Sequence, residues 1–215
     1  MNTLPHLSDG LYLDIARFAH STPHWFQKLA EVWTELGLLL FAVLFVAGWW
    51  RMRRGSSDAM ALALLAPLAT AFGYLVSEAL KSLIDEERPC RAVAGAPVSL
   101  VACPPHGDWS FPSNHSAIAG AAAVALALSW RGIVWLTAPM ALLMAFSRVF
   151  VGVHYPHDVT VGLLAGAVVA FVVVKAARRP VRALVESARS SRSGAVVWCV
   201  GRGGVSPAPV PDPVR

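Results

Sequence analysis

The stretch SRVFVGVHYPHD, residues 147–158, places an arginine, two histidines and an aspartate between two apolar runs, 132–146 and 159–174. Charged side chains are costly at the depth of a bilayer, and they are kept there mainly where a site needs them. The two runs therefore predict two membrane helices, and the polar stretch predicts that the connection between them has a chemical task.

The composition of the whole chain indicates a membrane protein. Its 215 residues are 56% hydrophobic and only 14% charged, and the mean hydropathy of +0.55 is too high for a typical soluble domain. A helix needs about 20 residues to cross about 30 Å of hydrocarbon. The predicted fold is an all-α, polytopic membrane helix bundle with five transmembrane helices. Their apolar runs, extended by a few flanking residues, are 36–50, 59–77, 116–130, 132–147 and 159–174.

The N-terminal part is predicted to lie beside the bundle. Residues 11–28 mix large apolar side chains with charged ones, which is typical of an amphipathic helix at the membrane surface. A sixth transmembrane helix is the alternative, and it would have to carry those charges in lipid. The start of the chain has no basic segment followed by a short apolar run, so no cleaved signal peptide is expected.

The C-terminal part is predicted to lie outside the membrane. From residue 187 onward it is rich in Ser, Gly, Arg, Pro and Val, which favours disorder apart from the apolar patch 195–200. The predicted organisation is an N-terminal interfacial segment at 1–30, a transmembrane domain at 31–176 and a largely disordered basic tail at 177–215.

Basic residues predict the orientation. They concentrate at 51–54, at Arg131 and at 175–182, and the positive-inside tendency places these regions and the C-terminus in the cytoplasm. The connection 78–115 and the stretch 148–158 then face the other side. The net charge of +5 is mostly a topology signal. Because the basic tail lacks the aromatic platform of a nucleic-acid site, no nucleic-acid partner is expected.

Three polar segments are expected to meet on that other side, because an even number of crossings separates each pair. They are KSLIDEERP at 81–89, FPSNHS at 111–116 and the stretch 147–158. Their cations suit a multiply charged anion, and the guanidinium fork matches phosphate oxygens. Backbone N–H groups just before a helix would point at the same anion. The predicted phosphate pocket contains Lys81, Arg88, Arg148, Ser113 and Asn114.

Two histidines and an aspartate would add reactivity to this pocket. The neutral imidazole of His154 can attack phosphorus, while Asp158 in the first turn of the next helix fixes its tautomer. His115 could give a proton to the departing oxygen. His157 is interpreted as a polar surface residue.

The order and spacing of these residues resemble the three-part signature of the type 2 phosphatidic acid phosphatase (PAP2) superfamily. Lys81 stands six residues before Arg88-Pro89, Pro112-Ser113-Asn114-His115 follows, and Ser147-Arg148 precedes His154 and Asp158. The resemblance implies a metal-independent phosphatase that needs no cofactor and forms a phosphohistidine. It further implies that His154 is the nucleophile, Asp158 its orienting partner and His115 the proton donor, and that the phosphoryl group is bound by Lys81, Arg88, Ser113, the backbone N–H of Asn114, and Arg148.

Two departures from the family pattern stand out. Glycine is usual where this chain has Asn114, and asparagine is expected to keep the loop because it tolerates positive φ better than most residues. Members in membranes commonly have six spans, whereas five are predicted here.

The phrases FPSNHS and SRVFVGVHYPHDV are similar to the bacitracin-resistance branch of the superfamily, the undecaprenyl-diphosphate phosphatases. This similarity implies undecaprenyl diphosphate as substrate, hydrolysed to undecaprenyl phosphate and phosphate. It also implies recycling of the cell-wall carrier lipid, bacitracin resistance, and an extracytoplasmic site in the bacterial plasma membrane. The alternatives are another lipid substrate, namely phosphatidylglycerol phosphate, phosphatidic acid or a decaprenyl-linked sugar phosphate. A non-enzymatic alternative is an anion transporter or channel.

A metal site is the rival use of the histidines and Asp158. Three nearby cations would repel a dication, and the chain has no HExxH motif, so no metal is predicted.

Other outer residues leave open questions. Asp85, Glu86 and Glu87 should oppose phosphate binding unless they turn away or pair with Arg88 or Arg91. A disulfide between Cys90 and Cys103 is permitted outside the cytoplasm, and free thiols are equally compatible with the sequence. Cys199 is expected to be unpaired.

Overall fold

The computed structural model describes residues 8–203, and every regular element in that range is helical. Four helices are long and apolar enough to cross a membrane: α2 (His24–Met52), α3 (Ser57–Lys81), the segment Arg131–Phe150 containing α6 (Val134–Phe150), and α7 (Pro156–Arg189). The shorter apolar helix α5 (Asn114–Ser129) is the fifth member. The predicted all-α membrane bundle is confirmed. The remaining helices are α1 (Asp9–Ser21), α4 (Pro89–Ala92) and α8 (Gly194–Val200).

Helix α5 is the centre of the bundle and packs against α2, α3, α6 and α7. Its buried side chains are almost all small, including Ala117, Gly120 and Ala121. Lipid tails are as apolar as the helix surfaces, so membrane helices associate through close van der Waals packing, which small residues permit. An all-round apolar helix of only 16 residues can therefore be enclosed by longer neighbours.

Glycines bring α7 into backbone contact with α5. A Cβ added to Gly166 would overlap the carbonyl oxygen of Ala117, and one added to Gly120 would overlap that of Leu163. One turn nearer the polar end, a Cβ on Gly162 would meet the carbonyl oxygen of Ser113. This spacing fixes where the first turns of the two helices lie relative to one another.

The N-terminal helix is shorter than predicted. Helix α1 ends at Ser21, and residues 24–28 belong to α2, so the boundary lies at 22–23 and not at 30. Pro23 causes the break, because it cannot donate the helical hydrogen bond and favours the position before a new helix. With 13 residues, α1 is too short to be a sixth span. Its buried face packs against the start of the α6–α7 connection through Tyr12 and Ala19.

The prediction of a largely disordered tail is wrong for residues 177–203. Helix α7 continues to Arg189, and α8 covers the predicted apolar patch. Val185 and Val200 are buried against Met60 of α3, and Arg178 makes a two-pronged ion pair with Asp58. Residues 204–215 lie outside the described range.

Replacing Gly166 by alanine should destabilise the bundle, because the new methyl group would collide with the α5 backbone. The free energy of unfolding is expected to fall by about 1–3 kcal/mol, as for other overpacked cores. Thermal unfolding of the detergent-solubilised protein measures it. Gly48→Ala is the matched control in α2, since nothing lies within 4 Å of its Cβ. Equal melting temperatures for the two variants would contradict backbone contact between α5 and α7.

Candidate active site

The three polar segments converge at one end of the bundle. Lys81 ends α3, Arg88 precedes α4, His115 lies in the first turn of α5, and Arg148 lies near the end of α6. The segment 151–155 joins α6 to α7 and carries His154. His115 is within electrostatic reach of Arg148, Arg88 and Lys81, so residues from α3, α5 and α6 share one cluster with Arg88 from the connection before α4.

His154 and Asp158 form a buried pair, with 2% and 0% of each residue exposed. The imidazole Nδ1 lies 3.3 Å from Asp158 Oδ2. Pro156 begins α7, which puts Asp158 at the third helical position, where its Oδ2 accepts the N–H of Tyr155 at 2.8 Å. The helix start therefore orients the carboxylate, and the carboxylate orients the ring.

The other nitrogen of His154 faces the cations. Its Nε2 lies 3.0 Å from Nη1 of Arg88. With Nδ1 protonated towards Asp158, Nε2 is the acceptor of this bond, a tautomer inferred from the hydrogen-bond network. Burial, together with Arg148, Arg88 and Lys81, holds the pKa of His154 well below its usual range. The ring is therefore neutral at neutral pH, which is the form that can act as a nucleophile.

Arg88 is buried, with only 3% of it exposed, and several hydrogen bonds hold its guanidinium group. Nη1 donates to the carbonyl oxygen of Val153 at 3.1 Å and Nε to that of Asp108 at 2.8 Å. The carbonyl group of Val153 can turn towards Arg88 because the preceding residue, Gly152, has a φ of +88°, which most residues avoid. The same turn brings Val153 and His154 over the guanidinium.

Asp108 occupies the predicted phosphate pocket. Its Oδ1 accepts from Arg88 Nη2 at 2.9 Å and from Lys81 Nζ at 3.2 Å. Burial acts to raise the pKa of Asp108, but Arg88 and Lys81 outweigh it, so the net direction is downward. One oxygen of this carboxylate therefore bridges two of the cations of the predicted phosphate pocket. No feature of the three motifs singled out Asp108 in the sequence.

Arg148 is held by α2, which the sequence motifs did not indicate. Its Nη1 donates to Thr34 Oγ1 at 2.9 Å, and only 6% of Arg148 is exposed. The buried Nε of Arg148 has no hydrogen-bond partner within residues 8–203. A buried donor without a partner is costly, and a bound anion would satisfy it.

The first turn of α5 is organised differently from the prediction. The N–H of Ser113 donates to the carbonyl oxygen of Asp158 at 3.2 Å, so it is engaged with α7. Asn114 is the first residue of α5 and does not have positive φ. Its side chain accepts from Ser77 Oγ at 2.7 Å and donates to Glu78. The asparagine thus ties α5 to α3, and tolerance of positive φ is not the reason it fits.

Ser110 is a further contact that the motifs missed. It is fully buried, and its hydroxyl donates to Asp158 Oδ2. The hydroxyl oxygen of Ser110 also lies 3.4 Å from His154 Nδ1. Its N–H donates to the carbonyl oxygen of Glu86 at 2.7 Å. Ser110 therefore links the outer connection to the His154–Asp158 pair, and only its position just before FPSNHS could have drawn attention to it.

The three acidic residues before Arg88 turn away from the cations. Glu87 pairs with Arg91 at 2.7 Å, Asp85 is exposed, and Glu86 lies 3.0 Å from His157. The prediction that His157 is a surface residue is wrong, since its side chain is only 12% exposed.

Cys90 and Cys103 form a disulfide, which resolves the open question from the sequence, and Cys199 is free. The disulfide closes the part of the outer connection that contacts the α6–α7 segment, where the N–H of Leu100 donates to the carbonyl oxygen of Val151 at 3.0 Å. The disulfide thus supports the segment that carries His154.

Comparison with known sequences identifies the family. The PAP2 superfamily model matches residues 62–182, more than half of the chain and all three polar segments. The chain belongs to the PAP2 superfamily. This membrane-embedded phosphatase is 30% identical over 162 residues to undecaprenyl-diphosphatase BcrC of Bacillus subtilis (strain 168), covering 74% of this chain and 80% of BcrC.

Two further comparisons agree. The putative undecaprenyl-diphosphatase YbjG of Escherichia coli (strain K12) is 29% identical over 167 residues, covering 74% of this chain and 79% of YbjG. The crystal structure of Aquifex aeolicus LpxE superposes with a TM-score of 0.65 at 22% identity, covering 81% of this chain and 99% of LpxE. The helical bundle is therefore the fold of a PAP2 membrane phosphatase.

Cys103→Ser should lower the free energy of unfolding by about 3 kcal/mol, because the disulfide no longer closes the loop between Cys90 and Cys103 in the unfolded chain. Thermal unfolding with and without reductant measures the effect. Reduced wild-type protein should melt close to Cys103→Ser, and Cys199→Ser is the matched control because Cys199 is free and exposed. A reductant-insensitive wild-type melting temperature would contradict the disulfide.

Proposed function

We propose that this PAP2 phosphatase hydrolyses undecaprenyl diphosphate to undecaprenyl phosphate and inorganic phosphate through a phosphohistidine on His154. The observation that carries the proposal is the orientation of the neutral His154 ring, whose Nε2 faces Arg88 while its Nδ1 is held by Asp158. The names of the relatives BcrC and YbjG support undecaprenyl diphosphate as the substrate.

In the first step, His154 Nε2 attacks the terminal phosphorus. A nitrogen–phosphorus bond forms and the bond from phosphorus to the bridging oxygen breaks. His115, protonated once the negative charge of the bound diphosphate offsets the surrounding cations, gives its proton to the departing undecaprenyl phosphate. The phosphoryl oxygens take the position of the Asp108 carboxylate on Arg88 and Lys81. Arg148 adds the unpartnered Nε. Such fixed charges stabilise the transition state of phosphoryl transfer.

In the second step, water attacks the phosphohistidine. His115 accepts a proton from the water, the nitrogen–phosphorus bond breaks, and phosphate leaves with its added oxygen. Asp158 stabilises the positive charge on His154 while the intermediate exists, as the carboxylate of a catalytic triad does. Both histidines return to their initial states, so the cycle consumes only one water.

The proposed site faces the outside of a bacterial plasma membrane. The basic connection between α2 and α3, Arg131, and the basic end of α7 all lie at the opposite end of the bundle, which favours a cytoplasmic location for that end. The disulfide between Cys90 and Cys103 lies at the site's end and favours an oxidising compartment. A diphosphate headgroup could then reach the cluster while its prenyl chain stays in the hydrocarbon.

His154→Gln should reduce phosphate release by at least about a thousandfold, because the amide cannot form the covalent intermediate. Wild-type enzyme that turns over substrate labelled in its terminal phosphate and is then quenched in alkaline detergent should retain a base-stable, acid-labile phosphoryl group that His154→Gln lacks. His106→Gln is the matched control, since the side chain of His106 is 79% exposed. Near-normal turnover in a folded His154→Gln protein would refute the nucleophile assignment.

A substrate panel tests the lipid. In detergent containing EDTA, kcat/KM for undecaprenyl diphosphate should exceed that for phosphatidic acid and phosphatidylglycerol phosphate by at least about tenfold, equivalent to 1.4 kcal/mol. The reverse ranking would transfer the assignment to the preferred lipid. Activity abolished by EDTA and restored by a divalent cation would contradict the metal-independent mechanism.

A further inference from the structure

His157 lies on the opposite side of Asp158 from His154. Its Nε2 is 3.3 Å from Asp158 Oδ1 and 3.0 Å from Glu86 Oε1. Its Nδ1 is 2.7 Å from the hydroxyl oxygen of Ser8. The imidazole is therefore in contact with two carboxylates, one of which already orients His154.

The surrounding residues hold the ring in this position. His157 stacks on Tyr155 with 5.2 Å between ring centroids and 16° between planes. Phe111 lies 6.0 Å away. Ser8 precedes α1, so the first helix of the protein reaches the active-site end of α7 through this hydrogen bond. A ring held by stacking and by both nitrogens has little freedom to turn.

The charges around His157 are unbalanced without a cation. Glu86 is 5% exposed and Asp158 is fully buried. One oxygen of each carboxylate, Glu86 Oε2 and Asp158 Oδ1, is buried and accepts no hydrogen bond within residues 8–203. The 3.3 Å contact from His157 to Asp158 is thus electrostatic, without the geometry of a hydrogen bond. Buried carboxylates need a positive partner, because their desolvation is expensive.

Other titratable groups surround this set. Asp9 on α1 acts electrostatically on both His157 and Tyr155, and Tyr12 packs against Tyr155. On the other side of the pair, Arg88 contacts His154, and within residues 8–203 no hydrogen bond or ion pair joins Arg88 to Asp158. Lys81 and Arg148 also act electrostatically on His154. A protonated His157 is therefore the cation placed between Glu86 and Asp158.

We infer that His157, held by Glu86, is a positioning residue that binds the second oxygen of Asp158 and keeps this carboxylate ionised towards His154. The inference rests on the proposed roles of His154 and Asp158. It matters for turnover because Oδ2 of Asp158 must accept from His154 and stabilise its positive charge in the phosphoenzyme. If Asp158 were protonated, that stabilisation would be lost.

The test is the pH profile of kcat for His157→Gln. Without the cation, Glu86 and Asp158 are two buried acids in contact, and the pair should take up a proton at higher pH than in the wild type. The acid limb of the pH profile of kcat should then move to higher pH. If the acid limb shifts by one pH unit, kcat of the variant is about tenfold below that of the wild type at pH values below the acid limbs of both proteins. The difference should disappear at alkaline pH.

The double variant Glu86→Gln/His157→Gln distinguishes positioning from general structural support. Removing the competing carboxylate together with the cation should return the acid limb to within about half a pH unit of the wild type, with kcat within about threefold at pH 7, since one acid alone no longer shares a proton. Glu87→Gln is the matched control for Glu86, because Glu87 lies next in the chain but pairs with Arg91. His106→Gln is the control for His157.

The outcomes separate the two hypotheses. Wild-type kcat for His157→Gln at every pH, or an equal loss at every pH that the double variant does not restore, overturns the positioning role. If His157→Gln does not fold, the double variant alone decides: a displaced acid limb or a kcat loss beyond about tenfold overturns it. The proposed function fails separately, through turnover in His154→Gln.

Discussion

Close packing of α5 against α7 is the constraint on which the rest of the structure depends. Gly162 and Gly166 on α7 and Gly120 on α5 leave no room for side chains between the two backbones. The first turns of both helices therefore meet, and Ser113 donates its N–H to the carbonyl oxygen of Asp158 at 3.2 Å. In a bilayer such contacts replace the hydrophobic driving force that holds soluble helices together. A site made from the starts of two helices is stable only because those starts cannot move apart.

His154 lies between the positive and the negative charges of the cluster. Its Nε2 faces Arg88, and its Nδ1 faces Asp158. Arg148 and Lys81 also act electrostatically on the ring. The cations favour the neutral ring before reaction, and the carboxylate can stabilise the ring once it carries a phosphoryl group. Asp108 pairs with Lys81 and Arg88. This pairing offsets the cost of holding two buried cations near one another without substrate.

Composition and periodicity carried different information along the chain. The five apolar runs predicted the bundle, because a bilayer demands long uninterrupted apolar helices. The tail was misjudged because its arginines and serines dominate the composition. Val181, Val185 and Ala188 in fact recur on one face of α7, and they bury Met60 and Ala61 of α3. The N-terminal segment was misjudged at Pro23, where one amphipathic stretch is divided between α1 and α2.

The sequence by itself determined the membrane class, the number of apolar helices and the residues of the three motifs, because these depend on local composition and on fixed spacings. It also indicated that the motifs share one end, since counting crossings needs no tertiary information. Only the tertiary structure decided which groups support them: Thr34 beneath Arg148, Asp108 on the cations, Ser110 and His157 around Asp158. These partners lie far apart in the chain or carry no spacing rule. Their roles follow from how buried charges find counter-charges in three dimensions, which a linear pattern does not encode.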